Sequence, residues 1–331
     1  MNYMNPELSI VIPCLNESET LRICIQKCKA FIESSGINTE IIVADNGSTD
    51  GSLQIAETEK VTIISVREKG YGSALIGGIN AAKGKFVIMG DADNSYDFSN
   101  LKPFVDKLRE GFDLVIGNRF KGGISKNAMP LLHKYLGNPV LSFIGRLFFK
   151  IKINDFHCGL RGFSKSAFLK MELQCRGMEF ASEMIVKAAL KRMKITEVPT
   201  TLEKAGRSRP PHLRTWRDGW RHLRFLLLLS PAWLFLLPGM ILFILGTFSS
   251  LLLISGPINY GKTIIDIHSL AYTSILIPIG LQLIFFFIFA ETYGSYEGLL
   301  PFARGNAGVF LPWKEVSSLA SYYLSAGWGL P

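Results

Sequence analysis

Charge is missing from two long stretches of this 331-residue chain: residues 225–261 hold no Asp, Glu, Lys or Arg, and neither do residues 267–290. Each stretch exceeds the roughly 20 apolar residues that span a hydrocarbon core about 30 Å thick. This predicts two transmembrane helices, near 233–254 and 270–290; a pair of buried helices in a large soluble core is the alternative. Pro231 and the pair Pro238-Gly239 predict a bend and a kink in the first, while Pro278 is tolerated in the second. The opening residues, MNYMNPELSIVIP, lack a basic start followed by an apolar run, so no signal peptide is expected there. Cysteine is sparse: Cys14, Cys24, Cys28, Cys158 and Cys175 show no paired C-x-x-C spacing, which argues against a zinc ribbon.

Acidic residues are scarce just before the first apolar stretch. Lys204, Arg207, Arg209, Arg214, Arg217, Arg221 and Arg224 stand there against Asp218 alone, whereas residues 255–269 carry only Lys262 and Asp266. The positive-inside rule then puts residues 1–224 in the cytoplasm, the short loop outside, and the tail from 291 back inside. A cytoplasmic location makes the five cysteines free thiols. The net charge of +9 raises nucleic acid as a partner. The basic residues instead crowd beside the membrane, where anionic lipid is nearer, and no nucleic-acid motif accompanies them. Leu213, Trp216, Trp220, Leu223 and Leu227 recur at three- and four-residue steps, with Arg214, Arg217, Arg221 and Arg224 one residue over. That pattern predicts an amphipathic helix over 212–230 lying at the membrane surface; a helix packed on the soluble domain is the alternative.

The first 200 residues read as alternating strands and helices. Short β-branched runs at 8–13 (LSIVIP), 40–44 (EIIVA), 61–66 (VTIISV), 86–89 (FVIM) and 114–116 are strands covered on both faces. Residues 19–34 form a helix with one apolar face. Alternation of this kind implies a mostly parallel α/β sheet, whose ligands sit beyond the carboxyl ends of the strands. Three of those ends lead into polar residues: Asn16-Glu17 after the first, the run from Asp45 to Gly51 after the second, and Asp91-Ala92-Asp93 after the fourth. Each alone is consistent with a turn. Together their like charges would repel unless something positive or hydrogen-bonding joins them. Asp91 and Asp93 flank an alanine, so in extended backbone both carboxylates point the same way and can share a cation. A nicotinamide-binding fold would run its first strand into G-x-G-x-x-G. Here the strand runs into Pro13-Cys14-Leu15-Asn16-Glu17, and Gly70-Tyr71-Gly72-Ser73-Ala74-Leu75 lacks the third glycine.

The ordered motifs SIVIPCLNESETL, IIVADNGSTDGS, GYGSALIGGINAAKGKFVIMGDADNSYD and DLVIGNRFKGG resemble the family 2 glycosyltransferases of the GT-A (Rossmann-like) fold, over residues 6–225. NDFHCGLRGFSKSAF and GRSRPPHLRTWRDGWRHLRF are similar to the polyprenyl-phosphate branch, relatives of dolichyl-phosphate mannose synthase. The resemblance implies a GT-A domain over 1–211, the interfacial helix at 212–230, two spans within 231–292 and a cytoplasmic tail at 293–331. It implies an inverting hexosyltransferase that moves one hexose, expected to be glucose, from a UDP-sugar to an undecaprenyl-type phosphate, for envelope glycan or glycoconjugate modification.

By the same resemblance Pro13, Asn16, Glu17, Asp45, Gly70, Gly72, Asp91 and Ala92 bind the donor, with Asp45 hydrogen-bonding the base and the two glycines letting the backbone pass close to the donor. Asp91 and Asp93 hold Mg²⁺ or Mn²⁺ against the diphosphate, and Ser95 stands where some relatives have an amide ligand. Asp155 lies near the reacting carbon and orients or assists. Arg119, His133, Lys134, Arg207 and Arg209 receive the acceptor phosphate. His157 reads as a hydrogen-bonded loop histidine, and Arg161 as a residue that caps or pairs within its loop. A homotetramer is permitted. The alternatives are a GDP-mannose-dependent synthase, a processive polysaccharide synthase and a non-catalytic membrane partner. The processive enzymes carry Q-x-x-R-W, which surrounds none of Trp216, Trp220, Trp233, Trp313 and Trp328.

Overall fold

The computed structural model describes residues 5–209, 215–260, 263–298 and 300. Two compact units divide at Leu226 and Leu227. In the first, strands β1 (Leu8–Cys14), β2 (Thr39–Asp45), β3 (Thr62–Ser65), β4 (Phe86–Met89), β5 (Leu114–Asn118), β6 (Arg161–Ser164) and β7 (Ile195–Pro199) form one sheet in the order β3-β2-β1-β4-β6-β5-β7. All neighbouring pairs are parallel except those of β6, which runs antiparallel between β4 and β5. The sheet is thus the mostly parallel α/β sheet expected. β1 and β4 are buried at every position, as strands covered on both faces must be. Because β6 reverses direction once, β5 points the same way as β4, and Arg119 leaves β5 on the edge where Asp91 leaves β4.

Helices α1 (Leu21–Ser35), α2 (Ser52–Thr58), α3 (Tyr71–Ala81) and α4 (Lys102–Arg109) connect the first strands. α1 buries Leu21, Cys24, Ile25, Cys28 and Phe31 and ends on Gly36 in the left-handed conformation, φ 65°. A single helical turn, α5 (Arg119–Gly122), comes after β5. A π-helical turn at His133–Gly137 leads into α6 (Asn138–Phe149), followed by α7 (Lys165–Met171), α8 (Phe180–Leu190) and α9 (Thr215–Leu228), which belongs to this unit as far as Leu226. α9 turns His222 and Leu226 inward, while Trp216 and Trp220 stand 79% and 62% exposed. Of the expected surface helix, residues 212–214 lie outside the described residues.

The second unit is a pair of long helices, α10 (Leu237–Ile254), preceded by a π-helical turn at Ala232–Leu236, and α11 (Ile267–Tyr296). The stretches Ala232–Ile254 and Ile267–Tyr296 are long and apolar enough to cross a membrane, each with mean hydropathy 2.2. The π-turn sits between Pro231 and Pro238, where helical hydrogen bonds are lost, and Pro278 lies inside α11. The two helices meet through glycine: a Cβ on Gly239 would lie 2.9 Å from the Gly280 carbonyl, and one on Gly246 would lie 2.9 Å from the Thr273 carbonyl. Two short strands, β8 (Ile258–Tyr260) and β9 (Thr263–Ile265), pair between them. The expected cytoplasmic tail lies outside the described residues from 301 onward.

Candidate active site

The carboxyl edge of the sheet opens into a cavity of about 990 Å³ within the first unit. Of the residues given a donor, metal or acceptor role from the sequence, Pro13, Glu17, Gly70, Asp91, Ala92, Asp93, Arg119, His133 and Arg207 line it, as do Trp216, Arg217, Trp220, Arg221 and Leu223 of α9. Asn16, Asp45, Gly72, Lys134, Asp155 and Arg209 are not on its wall.

At the end of β4, Asp91 Oδ1 accepts a hydrogen bond from the Tyr71 hydroxyl at 2.9 Å. Lost solvation, and then the nearby charge of Asp93, push the Asp91 carboxyl up to about 6. Asp93 Oδ1 accepts from the Ser95 amide at 3.0 Å, and Asp93 Oδ2 lies 3.3 Å from Arg207 Nη2. The other face of that guanidinium reaches Glu17 Oε1 at 2.9 Å, and Arg209 reaches the same oxygen at 2.6 Å. Arg207 thus bridges Glu17 after β1 to Asp93 after β4 and offsets the repulsion between those two strand ends. Burial still raises the Glu17 carboxyl, outweighing the two guanidiniums. The resemblance puts Arg207 and Arg209 at the acceptor phosphate; here Arg207 pairs with Glu17 and Asp93, and Arg209 with Glu17.

Asp45 accepts hydrogen bonds from the Gly47 and Ser48 amides, at 2.9 and 3.1 Å. Its carboxylate closes its own turn. Asn16, in the left-handed conformation with φ 58°, accepts from the Thr49 amide and donates its own amide to Ser48, stitching the turn after β2 to the end of β1. The glycines flanking Tyr71 also answer to the chain itself. A Cβ on Gly70 would strike the Arg176 carbonyl, and one on Gly72 would strike that of Cys175. The Gly72 and Ser73 amides donate to Arg176 O, which caps the start of α3. Both glycines thus allow a close approach to residues 175–176, and Gly70 is also on the cavity wall.

Arg119 Nε and Nη2 donate to the two oxygens of Asp155 at 2.7 Å each, and its backbone amide adds a third bond at 3.1 Å. Asp155 is fully buried. It stands behind Arg119 instead of facing the cavity; burial lowers the guanidinium pKa, the hydrogen bonds and charge of Asp155 act against it, and the guanidinium pKa lies above its ordinary value. Lys134 lies with its ammonium 5.6 Å from the Tyr135 ring centre. Arg161 is buried and donates to the carbonyls of Cys158, Ala181 and Phe156, holding the loop that carries Asp155.

Three wall features were not foreseen. Tyr71 sits between two glycines that masked it in the sequence. His157 has a buried Nε2 without a hydrogen-bond partner, unlike the hydrogen-bonded histidine expected; its ring lies 4.8 Å from that of His222, whose Nδ1 is 2.8 Å from Ser182 Oγ. Burial first, then His222 and Arg119, hold His157 well below its usual pKa. The third is the α6 region. Leu131, Tyr135 and Phe143 are 73%, 70% and 56% exposed, and Leu132, Leu136 and Val140 line the cavity. The apolar steps in PLLHKYLGNPVLSFIGRLFF carried that signal.

Among the described residues no group of three or more His, Cys, Asp or Glu converges on a metal position. Two carboxylates with Arg207 already beside one of them nonetheless fit a Mg²⁺ or Mn²⁺ ion. Such ions commonly take one or two carboxylates and complete their shell with substrate phosphates and water.

The sheet, with its acidic edge, is that of a GT-A glycosyltransferase. Residues 9–171 match the model of glycosyl transferase family 2. The chain belongs to that family. It is 37% identical over 309 residues to the low-salt glycan biosynthesis hexosyltransferase Agl6 of Haloferax volcanii, covering 93% of this chain and 72% of that protein. Glycosyltransferase AglJ of the same organism is 32% identical over 214 residues, covering 63% and 67%. The fold is also that of glucosyl-3-phosphoglycerate synthase from Mycobacterium tuberculosis. Its complex with phosphoglyceric acid aligns with TM-score 0.52 at 20% identity, over 67% of this chain and 79% of that one. Its complex with Mn²⁺ and UDP-glucose aligns with TM-score 0.51 at 19% identity, over 67% and 77%.

Proposed function

We propose that the protein is an inverting hexosyltransferase moving a single hexose, glucose, from UDP-glucose to a polyprenyl phosphate at the cytoplasmic face of a membrane that its two long helices span. One observation carries this reading: a single cavity joins an acidic end, Asp91 and Asp93, to a basic one at Arg119, with the His133 imidazole, held below its usual pKa by burial and by Arg119, on the same wall, and exposed apolar side chains rim it. The hexosyltransferase name of the Haloferax relative and the UDP-glucose complex of the structural neighbour support it.

Glu17, Pro13 and Ala92 hold the nucleoside and diphosphate side of the donor. A divalent ion held by Asp91 and Asp93 would act as a Lewis acid toward the charge that builds on the departing diphosphate. Arg119, kept in one orientation by its paired bonds to Asp155, receives the acceptor phosphate in bidentate geometry. Asp155 acts through Arg119 as a positioning residue. A phosphate monoester is ionised near neutral pH, so its oxygen attacks once held in line, and placement replaces a general base. α9 and the exposed face of α6 rest in the headgroup layer and bring the cavity mouth to the acceptor.

The test is transfer by the full chain in vesicles containing undecaprenyl phosphate, with Mn²⁺ and a panel of UDP- and GDP-sugars. The expected product is one glucose on lipid, from UDP-glucose, with inverted anomeric configuration. Mannose from GDP-mannose would move the reading to the alternative donor. A polymeric product, or no nucleotide release with any donor, would overturn it.

A further inference from the structure

Asp91 is held on one oxygen and given a fitted space for the other by two residues of the cavity wall. Tyr71, in the first turn of α3, donates its hydroxyl to Oδ1 at 2.9 Å. On the other side, a Cβ on Gly159 would lie 2.5 Å from Oδ2, so that oxygen occupies space only a glycine leaves open. Gly159 is itself fixed, because its amide donates to the Tyr96 hydroxyl at 2.8 Å. The terminal torsion of an aspartate is broad and roughly two-fold, so an unheld carboxylate would sample several orientations. Here one oxygen is tied and the other has a shaped recess.

α3 is anchored for the task. The Gly72 and Ser73 amides bind Arg176 O, and the Glu183 carboxylate accepts the Gln174 and Cys175 amides, at 3.0 and 2.8 Å, which braces that strand of chain. The glycines on either side of Tyr71 permit this close packing. Tyr71 therefore projects from a rigid base, not from a loop.

We propose that Tyr71 is a positioning residue for the cation seat: it holds Asp91 Oδ1, with Gly159 leaving room for Oδ2, and so fixes the carboxylate in the orientation that receives the divalent ion. This rests on the reading of Asp91 as a cation ligand. Groups that orient a metal ligand from behind typically change metal affinity by about 10- to 100-fold when removed.

The experiment is direct Mn²⁺ binding to the full chain in detergent, by calorimetry and by electron paramagnetic resonance, alongside thermal unfolding. Tyr71→Phe is expected to weaken Mn²⁺ binding by at least about 10-fold with a small change in unfolding midpoint. Gly159→Ala, which presses on the opposite oxygen and keeps Tyr71, is expected to weaken it as well. Unchanged Mn²⁺ affinity in a folded Tyr71→Phe protein overturns the inference, because the hydrogen bond then only satisfies a buried phenol. Should Tyr71→Phe fail to fold, Gly159→Ala decides, and unchanged affinity there overturns it too. Asp91→Asn separates the two levels. If it binds Mn²⁺ as well as the unaltered chain does, the cation site itself is elsewhere, and this inference falls with it.

Discussion

Asp45 ends β2 and Asp91 stands two residues beyond β4, on one edge of the same sheet with only β1 between them. Asp45 has both oxygens engaged by amides of its own turn, and the cavity does not reach it. Asp91 accepts from a tyrosine on one oxygen, is raised to about 6 chiefly by desolvation, and lies on the cavity wall. An acid after a buried strand is therefore a locus, and the donors that reach it decide its work. Backbone amides two and three residues on convert it into a turn. A rigid side chain from another helix leaves it available to a ligand.

The largest expected effect tests the β4 end. Asp91→Asn should lower sugar transfer by on the order of 10³-fold, the scale of losing a preorganised electrostatic group. Its unfolding midpoint should stay or rise, because a desolvated charge is removed; wild-type turnover would break the contrast. Asp155→Asn comes next. It leaves the buried Arg119 guanidinium facing a neutral amide, and breaking a buried pair costs about 3–5 kcal/mol, read as a lower midpoint in denaturant. Transfer should fall with a raised KM for the acceptor and little change for the donor.

Asp45→Asn sharpens the comparison from the other side. An amide oxygen replaces one of two carboxylate acceptors, so stability should drop by about 1–3 kcal/mol while donor KM moves little. A tenfold rise in donor KM without loss of stability would return Asp45 to the base-reading role. The smallest effect concerns Arg207, which lies between Glu17 and Asp93. Arg207→Gln removes a competing cation and should tighten Mn²⁺ binding in the absence of donor, by a few-fold at the roughly 1 kcal/mol scale of partly exposed ion pairs. Weaker binding would mean the arginine assists the ion.

Five strands could be read from the chain: β1, β2, β4 and β5 because residues buried on both faces are apolar and β-branched, and β3 from its β-branched run alone, since it is the sheet's edge strand and, contrary to the covered strand expected, is exposed or half-buried at every position. β6 and β7 could not. β6 is Arg-Gly-Phe-Ser, with one large apolar side chain, and it exists because β4 and β5 offer it two edges across long sequence separations. β7, Ile-Thr-Glu-Val-Pro, is too short and mixed to stand out, and it is set by pairing with β5. The acids at the edge were visible for the same reason as the strands. Tyr71 was hidden between its glycines, and Asp155 gave no sign that it would turn from the cavity to Arg119.

By itself the sequence determined the alternation of strands and helices, the two charge-free stretches and the family, since these arise from local pattern: β-branched runs, apolar length, and ordered motifs. Tertiary structure alone decided which polar groups face the cavity and which are used up within the chain. A carboxylate's role depends on donors that arrive from 20 to nearly 200 residues away, as Tyr71 does for Asp91 and Arg207 for Glu17. No local pattern encodes their arrival.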